Sequence, residues 1–381
     1  MAQFPRNDII SLVGAAPRHD LAESTGPDLL LGECLGDQDD PLRTSNLHYG
    51  SAAGDAGLRR AIADAYGANA DDVVVTAGGQ HALFLLAFTL CDRDDEAIVS
   101  RPGFPMPAAA LEAVGARVRT LPLRFDDGYQ PDVSAFAALL SPRTRFVCLA
   151  SPQNPSGVTI DPDRLREMLA AMSRLAPQAR LCIDETYRDA AHGDAPTAPS
   201  ALGLDPRILS VSSVSKCHGA PGLRIGWIVV RDAVLRESLV RAKFNTVISC
   251  PPLTETLALA VLERQDAIVG ERRLRFIENL DIVADWVERR SAELEWVRPD
   301  AGALCCVRLR PEVFDDAAVE CCHAAMGEQD VRVARGDWFG EQPRIFRLGF
   351  GLADAPGLRL ALDALGRALD AGRHDSGFAG R

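Results

Sequence analysis

Short β-branched runs alternate with longer amphipathic stretches through the middle of this chain, and that alternation restricts the fold more than any other feature. The runs are 73-VVVT-76, 97-AIVS-100, 117-RVRTLPL-123, 145-RFVCLA-150, 180-RLCI-183, 208-ILSVSS-213 and 226-GWIVV-230. Between several of them lie the helical patterns 80-QHALFLLAFTL-90, 106-MPAAALEAVG-115 and 161-DPDRLREMLAAMSRLA-176. Asp161 or Asp163 is placed to cap the last of these, with Pro162 in its first turn. Apolar runs separated by helix-length crossovers predict an α/β fold with a mainly parallel, buried sheet. Near residue 253 the pattern changes. The stretch 253–296 reads as helical but is too long for one globular helix, which predicts a break near Gly270. A smaller α+β unit follows, with strands in 303-ALCCVRL-309, 330-DVRVA-334 and 344-RIFRLGF-350 and a final helix over 354–372; the last nine residues read as frayed. The expected division is an N-terminal arm over 1–45, a large domain over 46–275 and a small domain over 276–381.

Charge narrows the function. With 53 acidic against 41 basic residues the net charge is −12, and no basic stripe interrupts it, so a nucleic-acid partner is excluded as an expectation. The opening MAQFPRNDII lacks the apolar core of a signal peptide, and no long apolar stretch predicts a membrane span. The ten cysteines include no CxxC, and the neighbours Cys305-Cys306 and Cys321-Cys322 do not suit disulfide geometry. All ten read as thiols in a cytoplasmic protein. Cys321, Cys322 and His323 match no standard zinc spacing, so no metal is expected.

Ligands of open parallel sheets bind beyond the carboxyl ends of the strands. Here those ends carry Ala77-Gly78-Gly79-Gln80, then 101-RPGFP-105, 151-SPQNPSG-157, 184-DETY-187 and Val214-Ser215-Lys216. Taken singly, most have bland readings. Gly78-Gly79 is a tight turn, Asn154–Gly157 another turn, Phe104 a core aromatic, and Arg347 an interface arginine. Asp184 is harder to dismiss, because a carboxylate ending a buried strand needs a cation or hydrogen bonds to stay ionised. Together they make a set: a lysine amine, a carboxylate, two arginines, a glycine turn opening a helix, and an aromatic ring. That set suits pyridoxal 5′-phosphate. The amine supplies the covalent link, the carboxylate keeps the pyridine nitrogen protonated, and helix N–H groups with one arginine hold the phosphate. The second arginine grips a substrate carboxylate bidentately.

At this point the sequence resembles the fold-type I pyridoxal-phosphate enzymes of aminotransferase class I/II, from about residue 28 to 370. SVSKCHGAPGLRIGW is similar to the family's Ser-x-Ser-Lys block, with an arginine eight residues after the lysine. The resemblance implies Lys216 as the internal aldimine and proton shuttle. It implies Ser213 and Arg224 at the phosphate, Ser215 as a further cofactor contact, and Gly78, Gly79 and Gln80 around the phosphate. Asp184 is implied at the pyridine nitrogen, Tyr187 and Asn154 near the 3-oxygen, and Phe104 stacked on the ring. Arg347 in FRLGF, with Gly32 and Asn154, is implied at the substrate carboxylate. HYGSAAGDAGLRRAIA resembles the block whose tyrosine, here Tyr49, reaches the neighbouring subunit's phosphate, so a homodimer with shared active sites is implied. The fold implied is that of aspartate aminotransferase-like enzymes, with a seven-stranded large-domain sheet. Pro107 and Cys217-His218 depart from the usual pattern, and the short span from Gly32 to Tyr49 implies a reduced N-terminal lid.

The implied reaction moves an amino group between an L-amino acid and a 2-oxo acid. Two alternatives stay open. One is elimination or cyclisation on the same cofactor. The other is a non-catalytic effector-binding module of this fold. For the substrate side chain, 243-KFNTVISCPP-252 and Trp338 are candidate pocket residues, and Lys243 or Arg335 would supply a cation if the substrate were acidic.

Overall fold

The computed structural model describes residues 8, 16–35 and 48–375. Its strands in chain order are β1 His19–Leu21, β2 Val73–Thr76, β3 Glu96–Arg101, β4 Arg117–Pro122, β5 Thr144–Ala150, β6 Arg180–Asp184, β7 Ile208–Ser213, β8 Gly226–Val229, β9 Leu294–Val297, β10 Leu304–Leu309, β11 Val331–Arg335 and β12 Ile345–Gly349. Seven of them form one sheet in the order β2-β8-β7-β6-β5-β3-β4. From β4 to β7 the pairings are parallel, and only β8 runs against its neighbours β7 and β2. The expected α/β architecture with a mainly parallel sheet is what forms. β2, β7 and β8 are buried along their whole length, as unbroken β-branched runs require, whereas the edge strand β4 exposes Arg117, Thr120 and Pro122.

Register aligns the strand ends. Asp184 pairs with Ala150 on one side and Val211 on the other, so β5, β6 and β7 finish at the same edge. Thr76 and Ser213 both face Gly226. A Cβ on Gly226 would fall 2.6 Å from both the Gly78 carbonyl carbon and the Gly79 nitrogen, so only glycine lets the turn after β2 settle there.

Helices complete the layers. Asp161 caps the helix Pro162–Leu175, its carboxylate accepting from the Asp163 and Arg164 N–H groups, with Pro162 in the first turn. The long C-terminal pattern does break, but at Arg264 (φ −106°, ψ 15°) and not at Gly270. Helix Gln265–Arg289 runs straight through Gly270, where a mid-helix glycine costs only about 1 kcal/mol against Ala.

The second sheet has the order β1-β11-β12-β10-β9. Two of its strands went unread in the sequence. β1 is three residues long, and its pairing is parallel to a strand more than 300 residues away, His19 opposite Val331. β9 lay at the end of a longer helical pattern, which stops at Arg290. Against this sheet pack Phe276, Leu280, Val283 and Trp286 from Gln265–Arg289, and Leu358, Leu362 and Leu365 from the last helix. That helix, Ala355–Asp375, continues into the tail read as frayed. Cys305 and Cys322 fill this core as small apolar residues, and the nine described cysteines are unpaired. Cys322 points at the Leu369 carbonyl and His323 at that of Pro343, so the two diverge. Among the described residues no helix is long and apolar enough to cross a membrane.

Candidate active site

Lys216 stands just past β7, whose six residues are all buried. Its Nζ lies 4.0 Å from the Glu23 carboxylate. Burial is the chief cause that lowers the Lys216 pKa; Glu23 opposes the shift, Arg347 and Arg224 reinforce it, and Asp184 opposes it. Five groups from four separate stretches of chain thus share one electrostatic neighbourhood. A lowered pKa leaves more of the amine neutral near neutral pH, and neutral is the nucleophilic form.

Asp184 ends β6 and accepts a hydrogen bond from the Thr186 N–H at 3.1 Å. Burial raises its pKa, while the Thr186 hydrogen bonds and the charge of Lys216 pull the other way. The carboxylate is therefore poised toward a cation it lacks once Lys216 is engaged elsewhere. On the neighbouring flank the buried Tyr187 hydroxyl meets Ser24 Oγ at 2.9 Å and the Asn154 amide at 3.4 Å. Burial pushes the Tyr187 phenol up to about 12, so it remains a protonated donor. The Asn154 carbonyl oxygen in turn accepts from Arg347 at 2.8 Å. Arg347, 2% exposed, also donates to the Ala22 carbonyl and lies 4.8 Å from the Phe339 ring centroid, while its Nε has no partner. A buried guanidinium with a spare donor is equipped to hold a carboxylate.

The opposite end is built for an anion. Helix Gly79–Leu90 opens at Gly78 (φ +84°) with no side-chain cap. Its first N–H groups and the positive end of its dipole face outward. Arg224, in the left-handed region at φ +52°, brings its guanidinium against this turn; a Cβ on Gly78 would lie 2.4 Å from it. Ser213 lies 3.9 Å from where a Cβ on Gly79 would be, and its Oγ accepts from the Ser215 N–H at 3.3 Å. Gln80 Oε1 is buried without a partner. Helix N–H groups, a guanidinium and a hydroxyl form a donor set for a phosphate. With a buried carboxylate at the far end and an amine between, the residues present fit pyridoxal phosphate.

Phe104 is half-buried and packs with Trp338 against Ala22, Ala334 and Phe339. Tyr49 is 77% exposed. Gly32 is not brought into this group: it is exposed on the short helix Leu31–Leu35, and nothing lies within 4 Å of where its Cβ would be. The N-terminal segment that meets Arg347 is Ala22–Ser24, because β1 lays it beside β12. Most of the span read as a reduced lid lies outside the described residues. Of the cations considered for an acidic substrate, Lys243 is fully buried, with Cys250 and Glu255 the nearby groups that favour its charge, and Arg335 is paired with Glu320 at 3.0 Å and Asp337 at 3.1 Å. Glu23 and Ser24 escaped the sequence reading, because no motif flags them and only the β1–β11 pairing brings them here.

The sequence model of the family "Aminotransferase class I and II" matches residues 40–365. Capreomycidine synthase of Streptomyces vinaceus is 32% identical over 86% of this chain and 82% of its own length. Arginine–pyruvate transaminase AruH of Pseudomonas aeruginosa is 31% identical over 83% and 81%. Among solved structures, a PLP-dependent aminotransferase from Streptococcus suis superposes with a TM-score of 0.87 over 97% of this chain and 98% of that one, at 22% identity. The PLP-dependent cyclase OrfR gives 0.83 over 97% and 99%, at 26% identity.

Proposed function

We propose roles for these residues on the premise that this chain belongs to the aminotransferase class I and II family. The chain is a pyridoxal-phosphate-dependent aminotransferase acting on an amino acid and a 2-oxo acid. One observation carries the assignment of its centre: the register of β5, β6 and β7 brings Asp184 and the Ser213–Lys216 segment to one sheet edge, where the Arg224 guanidinium lies against the Gly78 turn. The cofactor, when bound, supplies a ring that accepts the electron pair left behind by a departing α-proton. Lys216 would form the covalent attachment to the cofactor, and its amine, once released, would take up and return the substrate α-proton. Asp184 keeps the ring nitrogen protonated. Tyr187 and Asn154 donate to the ring oxygen. Gly78, Gly79, Gln80, Ser213, Ser215 and Arg224 hold the phosphate, and Phe104 covers the ring. Arg347 fixes the substrate carboxylate, so that the bond to be broken stays aligned.

The Pseudomonas relative is named for arginine and pyruvate, which are therefore the first donor and acceptor to test. Holoprotein mixed with donor alone is expected to lose its amine-linked absorbance, accumulate the aminated cofactor and release one equivalent of 2-oxo acid. Pyruvate is expected to restore the starting spectrum. A second reading, cyclisation or elimination, is favoured by the synthase and cyclase relatives. Catalytic product formation without any acceptor would establish it in place of transamination.

A homodimer with shared sites belongs to the same reading. Tyr49 is exposed, and Phe244, Val247, Ile248 and Leu253 form an exposed apolar stretch close to it along the chain's fold, Gly50 lying against the Cys250 carbonyl and Pro252. Sedimentation of the holoprotein is expected to give a dimer, and Tyr49→Phe to weaken cofactor retention. A fully active monomer would contradict this. The nine described cysteines are unpaired, which supports a cytoplasmic location.

A further inference from the structure

Glu23 is an acid beside the Lys216 amine that the cofactor chemistry above does not use. Its backbone is clamped: Ala22 accepts from Arg347 on one side, and Ser24 meets Tyr187 on the other. Its carbonyl oxygen is pressed against β12 so closely that a Cβ at Gly349 would fall 1.7 Å away. Between these anchors the side chain reaches the Lys216 amine at 4.0 Å, with a quarter of its surface exposed. It also bears on Arg347, whose guanidinium is already committed to Asn154 and Ala22.

That position has a consequence for charge. The amine that faces Glu23 is engaged once Lys216 forms its covalent attachment. A carboxylate then faces the cleft where the substrate sits, in a partly desolvated setting that favours a replacement cation. Arg347 takes the α-carboxylate, so the replacement must come from the rest of the molecule. An acidic side chain would be repelled there. Lys243 and Arg335 offer it nothing, the first being fully buried and the second ion-paired. Resting on the aminotransferase reading, we propose that Glu23 is the specificity-determining residue of this site and selects amino acids with a cationic side chain, a guanidinium or an ammonium.

The test compares L-arginine with L-citrulline, its neutral isostere, and with L-glutamate. Each is mixed rapidly with the holoprotein, and dissociation constants are read from how the rate of the cofactor absorbance change saturates with amino-acid concentration. Arginine is expected to bind at least about tenfold tighter than citrulline, the scale of one charge-assisted hydrogen bond, and glutamate weakest. Glu23→Gln is expected to reduce the arginine-to-citrulline ratio to within about threefold, while its unliganded spectrum shows the cofactor loaded. Equal binding of arginine and citrulline by the parent protein would overturn the proposal. So would a ratio unchanged in Glu23→Gln, or tightest binding of glutamate. In each of those cases the aminotransferase reading survives, because amino acids still perturb the cofactor. If none of the three does, both readings fall together.

Discussion

Lys216→Ala is expected to lower turnover by about 10⁴-fold or more and to abolish the absorbance of amine-linked cofactor. The loss is large because one side chain does two things, forming the covalent attachment and moving the α-proton. The other described lysine, Lys243, is fully buried beside Cys250 and Glu255 and is not free to substitute. The fold should survive. Burial lowers the Lys216 pKa, with Glu23 and Asp184 opposing that shift and Arg347 and Arg224 reinforcing it, so replacing the amine by a methyl group removes a desolvated group whose charged neighbours largely offset one another. The variant should also keep the cofactor non-covalently, through the Gly78–Gln80 turn and Arg224. Measurements of kcat, the absorbance spectrum and phosphate-dependent cofactor retention separate these effects. A variant that stays both coloured and active would refute the assignment.

Asp184→Asn is expected to cost about 10²- to 10⁴-fold in kcat with a small change in substrate affinity. Asparagine keeps the shape and can still accept from the Thr186 N–H, but it carries no charge to hold a proton on the ring nitrogen. Stability should move the other way. Burial raises the folded-state pKa of Asp184 above its unfolded value. Its ionisation therefore weakens the cofactor-free fold as pH rises through that raised value, and the neutral form carries no such penalty. Cofactor-free Asp184→Asn should melt no lower than the parent at pH 7, and the parent should gain more from cofactor binding. Thermal melts with and without cofactor check both signs. An Asn variant with parental kcat would remove Asp184 from the mechanism.

The residues proposed for the cofactor were legible in the sequence because they stand at strand ends. A buried parallel strand is written as an apolar run, and the residue that follows it must stand at the sheet's carboxyl edge. Asp184 and Lys216 could be located from that rule alone, and the register of β5, β6 and β7 brings them to one edge. Helix capping was equally local, as Asp161 and Pro162 illustrate. The break placed at Gly270 failed for the complementary reason: a lone glycine is a weak local preference, and packing of Phe276 and Leu280 carries the helix past it.

The chain's local chemistry by itself determined the sheet and put the proposed amine, Lys216, and the proposed supporting acid, Asp184, at its carboxyl edge. Only the tertiary structure decided what surrounds the substrate. Arg347 faces Ala22–Ser24 because a three-residue strand pairs with a partner near the other end of the chain, and the same pairing puts Glu23 beside Lys216 while leaving Gly32 outside. Such a strand has too few residues to show a period, and its partner is set by the shape of a sheet that exists only after folding.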